Sequence, residues 1–196
     1  MKKTEKTNVM RILEQNKVPY ESFCYADTEA ISGVEVAEVL GQDKNRVFKT
    51  LVTESASKAH YVFMIPVHRE LELKKAAKAV GEKNISMLKS KDLLPLTGYI
   101  HGGCSPIGMK KQFKTVVHAS ALEFDTILFS AGKIGYQVEV APEDLKKIVK
   151  YETADIVLLT PSYISYYDYG NVVVNDEGSV LRDYVSVMKE LAEEKN

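Results

Sequence analysis

Apolar positions along this chain switch repeatedly between helical and strand spacing. Val9, Ile12 and Leu13 recur at helical intervals, which predicts an amphipathic helix from Thr4 to Asn16, ended by Val18-Pro19. Tyr20 to Tyr25 alternates aromatic and polar residues, as a short strand does. Ser32-Gly33-Val34-Glu35 has the spacing of a capping box, and Val36, Val39 and Leu40 form the stripe of the helix it opens before Gly41. Val47 to Val52 and His60 to Val67 read as buried strands joined by a hairpin through Glu54 to Ala59. Leu73, Ala76, Ala77 and Val80 give a third helix, capped by Gly81. A short strand at Ile85-Ser86-Met87 and one helical turn at Ser90 to Leu94, before Pro95, come next. Strand patterns return at Thr115 to His118, Thr126 to Phe129 and Tyr136 to Val140. Pro142 opens a helix to about Val149, and Ile156 to Leu159 is the last expected strand. Hairpin-like pairs interleaved with short helices argue against a purely parallel sheet. The expected fold is mixed α/β: a curled, barrel-like sheet with helices outside.

After Pro161 the texture changes. Ser162 to Gly170 is rich in tyrosine, and Val180, Leu181, Tyr184, Val185, Met188 and Leu191 make a clean amphipathic stripe. The chain therefore divides into a domain over 1–160 and an extension over 161–196 that ends in a helix.

Two positions break the pattern. Lys49 stands among Val47, Phe48, Leu51 and Val52, so it either snorkels to an edge or faces a cavity. The stretch from Gly98 to Lys111 holds four glycines and Pro106, too much punctuation for a helix or an ordinary strand. Such a turn, with two lysines after it, is either a cradle for an anion or carbonyl oxygen, or a sharp loop with solvated lysines.

Composition narrows the class. The 196 residues are 45% hydrophobic and 27% charged, which suits a globular domain with a real core. No apolar run approaches the length that spans a bilayer, and the N-terminal residues do not form a signal core, so the expected location is cytoplasmic with no membrane partner. Two cysteines make no disulfide framework, and four histidines offer no pair at metal-binding spacing, so no metal or other cofactor is expected. The net charge of −1 does not mark a general nucleic-acid binder and argues against a DNA partner. Its distribution is uneven. Lys58 to His118 carries eleven basic and four acidic residues, while Ser162 to Asn196 carries three basic and seven acidic. A basic middle fits a directed contact with a polyanion, or simply the wet face of a helix carrying Lys74, Lys75 and Lys78. No phosphate-binding glycine motif and no Ser-His-Asp or Cys-His arrangement is present.

Three segments taken together resemble the YbaK/EbsC family of aminoacyl-tRNA deacylases: Phe48-Lys49-Thr50-Leu51, Gly102 to Gly108, and Ser130-Ala131-Gly132-Lys133. These are free-standing relatives of the editing domain of prolyl-tRNA synthetase. Ala121 to Phe124 and Glu139 to Pro142 look like the Cys-tRNA(Pro) branch, and the likeness covers roughly Thr4 to Ile156. The resemblance implies an enzyme that breaks the ester joining cysteine to the acceptor end of proline tRNA, with the substrate thiol assisting; alanine- or serine-charged tRNA is the alternative within the class. It implies Lys49 as the catalytic residue. It implies contacts to substrate from Phe48, Thr50, Gly102, Gly103, Ser105, Ser130, Gly132 and, more loosely, Tyr25. Aminoacyl-tRNA is the implied partner, with prolyl-tRNA synthetase as a second. Cys104 stands where relatives carry an aliphatic residue; it is a buried small hydrophobe or a reactive thiol in the pocket wall. A non-catalytic module that grips aminoacyl-tRNA or a synthetase, and a small-molecule hydrolase, are the competing functions.

Overall fold

The structure is a computed structural model that describes residues 5–157. The predicted C-terminal helix lies outside the described residues. Five helices and eight strands run in the order α1 (Asn8–Gln15), β1 (Glu21–Cys24), α2 (Gly33–Val39), β2 (Phe48–Ser55), β3 (His60–Pro66), α3 (Leu73–Val80), β4 (Ile85–Met87), α4 (Ser90–Thr97), β5 (Lys114–His118), β6 (Ile127–Ser130), β7 (Tyr136–Val140), α5 (Pro142–Ile148) and β8 (Tyr151–Ala154). A 3-10 helix, Ala119–Glu123, links β5 to β6.

The strands form two sheets. One has the order β1-β7-β6, all antiparallel. The other has the order β4-β2-β3-β5-β8, in which β3, β5 and β8 are parallel neighbours. A parallel bridge between Val47 and Leu128 joins them at the entry to β2. There the Leu128 N–H donates to the Arg46 carbonyl at 2.8 Å. The two sheets do not close into a barrel among the described residues.

Side-chain alternation sorts the core into layers. Phe48, Val52, Val62, Met64 and Val117 face one way and meet Val9 and Leu13 of α1, Phe129 and Val138. Val9 and Leu13 are fully buried, each worth about 1.5–3 kcal/mol of transfer free energy. Phe63, Ile65 and Val116 face the other way, under Ala76, Ala77 and Val80 of α3. Beside them a small cluster of Ala37, Val47, Val67 and Leu128 lies under α2.

Local rules hold at the helix ends. Ser32 Oγ accepts from the Glu35 N–H at 3.2 Å while Glu35 Oε2 accepts from the Ser32 N–H at 2.8 Å, the reciprocal pair of a capping box. Gly81 closes α3 with φ +83°. Two expectations need correction. The helix after Ser90 does not stop before Pro95 but runs through it to Thr97. Downstream partners take up its later carbonyls: the Thr97 hydroxyl donates to Leu93 O at 2.7 Å, and Lys110 Nζ reaches Pro95 O at 3.3 Å. The last strand among the described residues is Tyr151–Ala154; of the strand expected at Ile156 to Leu159, Val157 makes an isolated bridge to Leu71, and residues 158 and 159 lie outside the described residues. β8 is a parallel edge strand with its middle residues exposed, so no apolar run announces it.

The junction of the sheets is also pinned by side chains. The Arg46 guanidinium pairs with Glu139 of β7 and bonds Thr126, and the Thr126 hydroxyl donates to the same carboxylate. The two charged side chains are only 34% and 17% exposed. Replacing Glu139 by Ala leaves the guanidinium half-buried and unpaired. The expected cost is about 1–3 kcal/mol in urea denaturation. Lys147→Ala, which removes the exposed pair with Asp144, is expected to leave the urea midpoint close to that of wild type.

Candidate active site

Lys49 is the second residue of β2, and its side chain lies on the α2/α3 side of the sheet, opposite Phe48. Its Nζ donates to the Val67 carbonyl at 3.1 Å. The ammonium is half-buried. Burial pulls its pKa below the ordinary lysine value, and Glu70 pulls weakly the other way.

Register defines what stands beside it. From the Val47–Leu128 bridge, β2 and β6 advance in parallel. Two residues further on each strand stand Lys49 and Ser130, on the same side of the sheet as the bridging pair. Ser130 is opposite Gln137 of β7, and Gln137 is opposite Phe23 of β1. Lys49, Ser130 and Gln137 therefore belong to one polar row across three strands. Gln137 is 5% exposed, and its Oε1 has no hydrogen-bond partner among the described residues. A buried amide oxygen of this kind is costly unless something donates to it.

Two glycine turns meet at the Ser130 end of the row. Ser130 Oγ accepts from the Gly132 N–H at 3.2 Å, and Gly132 has φ +81°. A β-carbon on Gly132 would stand 2.8 Å from a Tyr99 ring carbon and 2.9 Å from Val9. The second turn closes through the Gly103 N–H to Ile100 O at 3.1 Å, with Gly102 at φ +80°. It packs on the first turn so closely that a β-carbon on Gly103 would lie 3.2 Å from the Ile134 nitrogen. Tyr25 joins the same wall: its N–H donates to Gly135 O at 2.8 Å. The Tyr99 hydroxyl donates to Ile107 O at 2.5 Å and ties the long loop to itself.

The structure thus gathers Tyr25, Gly102, Gly103, Ser130 and Gly132 around one turn, and register brings Lys49 beside Ser130. Other expected residues sit elsewhere. Phe48 is 2% exposed and Ser105 is 0% exposed, so both pack beneath the wall; Ser105 Oγ accepts from the Ile107 N–H at 3.4 Å. Thr50 lies on the Phe48 side of β2, its Oγ1 buried without a hydrogen-bond partner among the described residues. Lys110 binds carbonyls of α4 and is not a free cation beside the turn. Cys104 is buried, and burial pushes its thiol up to about 12, so it is a neutral core residue and not a thiolate. Gln137 was not among the expected site residues. The Tyr136–Val140 alternation marked its face, but only the neighbouring strands show that face to be buried.

A family profile described as the aminoacyl-tRNA editing domain matches residues 28–148. This chain belongs to that family. A curated relative from Enterococcus faecalis, a candidate Cys-tRNA(Pro)/Cys-tRNA(Cys) deacylase called EbsC, is 50% identical over 157 residues, spanning 79% of this chain and 96% of the relative. Solved structures share the fold at lower identity. One, a candidate trans-editing enzyme for prolyl-tRNA synthetase, has a TM-score of 0.66 at 20% identity and covers 76% of this chain and 96% of its own. Another, a protein of unassigned function, has a TM-score of 0.70 at 20% identity, covering 79% of this chain and all of that one (100%).

The depressed Lys49 pKa has a thermodynamic sign. The unfolded chain holds the lysine proton to higher pH than the folded one, so stability rises with pH between the lowered pKa and the ordinary lysine value. Below that window the charge opposes folding. Lys49→Met keeps the stem and removes the charge. It is expected to raise the thermal midpoint at neutral pH by a few degrees, and to abolish the alkaline rise of stability in that window.

Proposed function

We propose that this protein hydrolyses the aminoacyl ester of mischarged tRNA, with Cys-tRNA(Pro) as its substrate, in the cytoplasm. The observation that carries the reading is Lys49: a half-buried ammonium beside the Ser130–Gln137 row, walled by two glycine turns. The family and the name of the 50% identical relative support the substrate class.

The chemistry follows from charge. Attack on the ester carbonyl places negative charge on its oxygen. A cation already out of bulk water stabilises that charge far more than one in water does. The glycine turns let the aminoacyl group approach the backbone without a β-carbon in the way. Gln137 Oε1 accepts a hydrogen bond from the α-ammonium of the bound amino acid, and Ser130 orients the same end. The nucleophile is the cysteine thiol of the substrate. Its sulfur forms a bond to the carbonyl carbon, the bond to the ribose oxygen breaks, and that oxygen takes the thiol proton. Water then opens the thiolactone. Neutral Cys104 plays no part in this sequence. Selectivity for the tRNA is completed by prolyl-tRNA synthetase, because the chain itself is close to neutral.

The test is release of cysteine from Cys-tRNA(Pro) by wild type, Lys49→Ala and Gln137→Leu, with Ala-tRNA(Pro) as comparison. Lys49→Ala is expected to slow turnover by about 10²–10³-fold with the fold retained. Gln137→Leu is expected to raise KM more than it lowers kcat. Hydrolysis of the alanyl substrate alone would reassign the amino acid. Binding without hydrolysis of either substrate would leave the non-catalytic module.

A further inference from the structure

The strand ends beside Lys49 carry cations that the reaction does not use. β2 and β3 pair antiparallel with Phe48 opposite Pro66, and the Val67 N–H donates to Val47 O at 2.8 Å. The turn before β2 and the turn after β3 are therefore neighbours. The first is closed by the Arg46 N–H to Asp43 O at 2.9 Å and carries Lys44. The second is closed by the Arg69 N–H to Pro66 O at 3.0 Å and carries His68 and Arg69. Val67, whose carbonyl holds the Lys49 ammonium, immediately precedes them.

His68 is where these groups meet. The ring is half-buried, and burial lowers its pKa. Arg69 adds to that effect, as do Lys44 and Lys49, so all three cations lie within electrostatic reach of one imidazole. A hydrogen bond with the Lys44 backbone works the other way. Nδ1 is buried and has no hydrogen-bond partner among the described residues. Neither Lys44 nor the half-buried Arg69 has an ion-pair partner among the described residues, although most other charged side chains packed nearby are engaged. Arg46 is held by Glu139, Lys75 by Asp155, and Asp43 accepts from Asn45. Glu70 acts on Lys49. A guanidinium fork and an ammonium at adjoining turns, on either side of one buried imidazole, carry the charge and the donors that a phosphate takes.

We propose that Lys44 and Arg69, packed on either side of His68, form a phosphate-binding rim that holds the RNA backbone leading to the ester at Lys49. This rests on the editing reading for its choice of ligand. A single-stranded 3′ end that delivers its terminal ribose to Lys49 must bring its last phosphates past this edge of the site. The rim positions the substrate and does not touch the reacting atoms. Its removal therefore weakens capture and leaves turnover of bound substrate alone.

The test is binding of deacylated tRNA(Pro) to the full chain, followed by fluorescence anisotropy over a salt series. Arg69→Ala and Lys44→Ala are each expected to weaken binding about five- to tenfold at low salt. Each is expected to reduce the slope of log Kd against log salt by about 0.7–1. Arg69→Lys is expected to recover part of the slope, and kcat on saturating aminoacyl-tRNA is expected to stay near wild type. Lys91→Ala, an exposed lysine on α4, is the control, and near-ultraviolet circular dichroism verifies the fold of every variant. Affinities and slopes for Arg69→Ala and Lys44→Ala that match those of Lys91→Ala would overturn the rim. Altered slopes without any deacylation by wild type would support the rim and sink the editing reading, so the two fail separately.

Discussion

The short parallel contact between the entry to β2 and β6 is the constraint on which the site depends. One bridge, Val47 to Leu128, and one backbone hydrogen bond, Leu128 to Arg46, join two sheets that are otherwise separate in pairing. Such a contact is too short to hold by its ladder alone. The Arg46–Glu139–Thr126 cluster fastens it from the side, and Ala37 and Val67 cover it with apolar surface. Because the strands are parallel here, their residues advance together. Without the junction, Lys49 and Ser130 would belong to different sheets with no fixed separation. A one-residue slip would turn one of them to the opposite face.

The same placement explains why the lysine opposes stability. Leu51 follows Lys49 on the same side of β2 and packs under α3, so Lys49 sits where a hydrophobe would serve the fold better. The Val67 carbonyl gives the ammonium one neutral acceptor, and Glu70 supplies only a weak opposing charge. A fully paired lysine would be quieter and less able to meet new negative charge. In the proposed reaction the incomplete solvation is what lets the cation meet developing charge, and the rest of the sheet must carry its cost. Gln137 is the neutral counterpart, a buried acceptor without a donor among the described residues.

Much of the fold was legible because local rules agree with tertiary ones. The capping box at Ser32, the Gly81 cap and the hairpin at Glu54 to Ala59 rely on neighbours in sequence, and all appear as expected. Lys49 stood out because a charge inside an apolar strand conflicts with its surroundings. The misses share one cause. β8 is stabilised by its β5 neighbour and not by its own pattern, and the end of α4 beyond Pro95 has its carbonyls met by Thr97 and by Lys110 of the next loop. Gln137 and the Lys44–His68–Arg69 edge gain meaning only from cross-strand register. No spacing along the chain predicts that residues 44 and 69 share an imidazole.

Shape and charge are divided between different parts of the chain. The glycine turns at 102–103 and 132 fix the volume beside the polar row through backbone conformations that a side chain would disturb. A wall of that kind discriminates by exclusion and is indifferent to salt. The cations of the proposed rim are at the ends of β2 and β3, on long side chains that follow an anion without disturbing those turns. An ester carried on a polyanion needs both: a rigid wall that measures the small group and a compliant charged edge that holds the large one. Placing them on separate segments lets either be altered without deforming the other, and the β2–β6 junction ties together the two sheets that carry them.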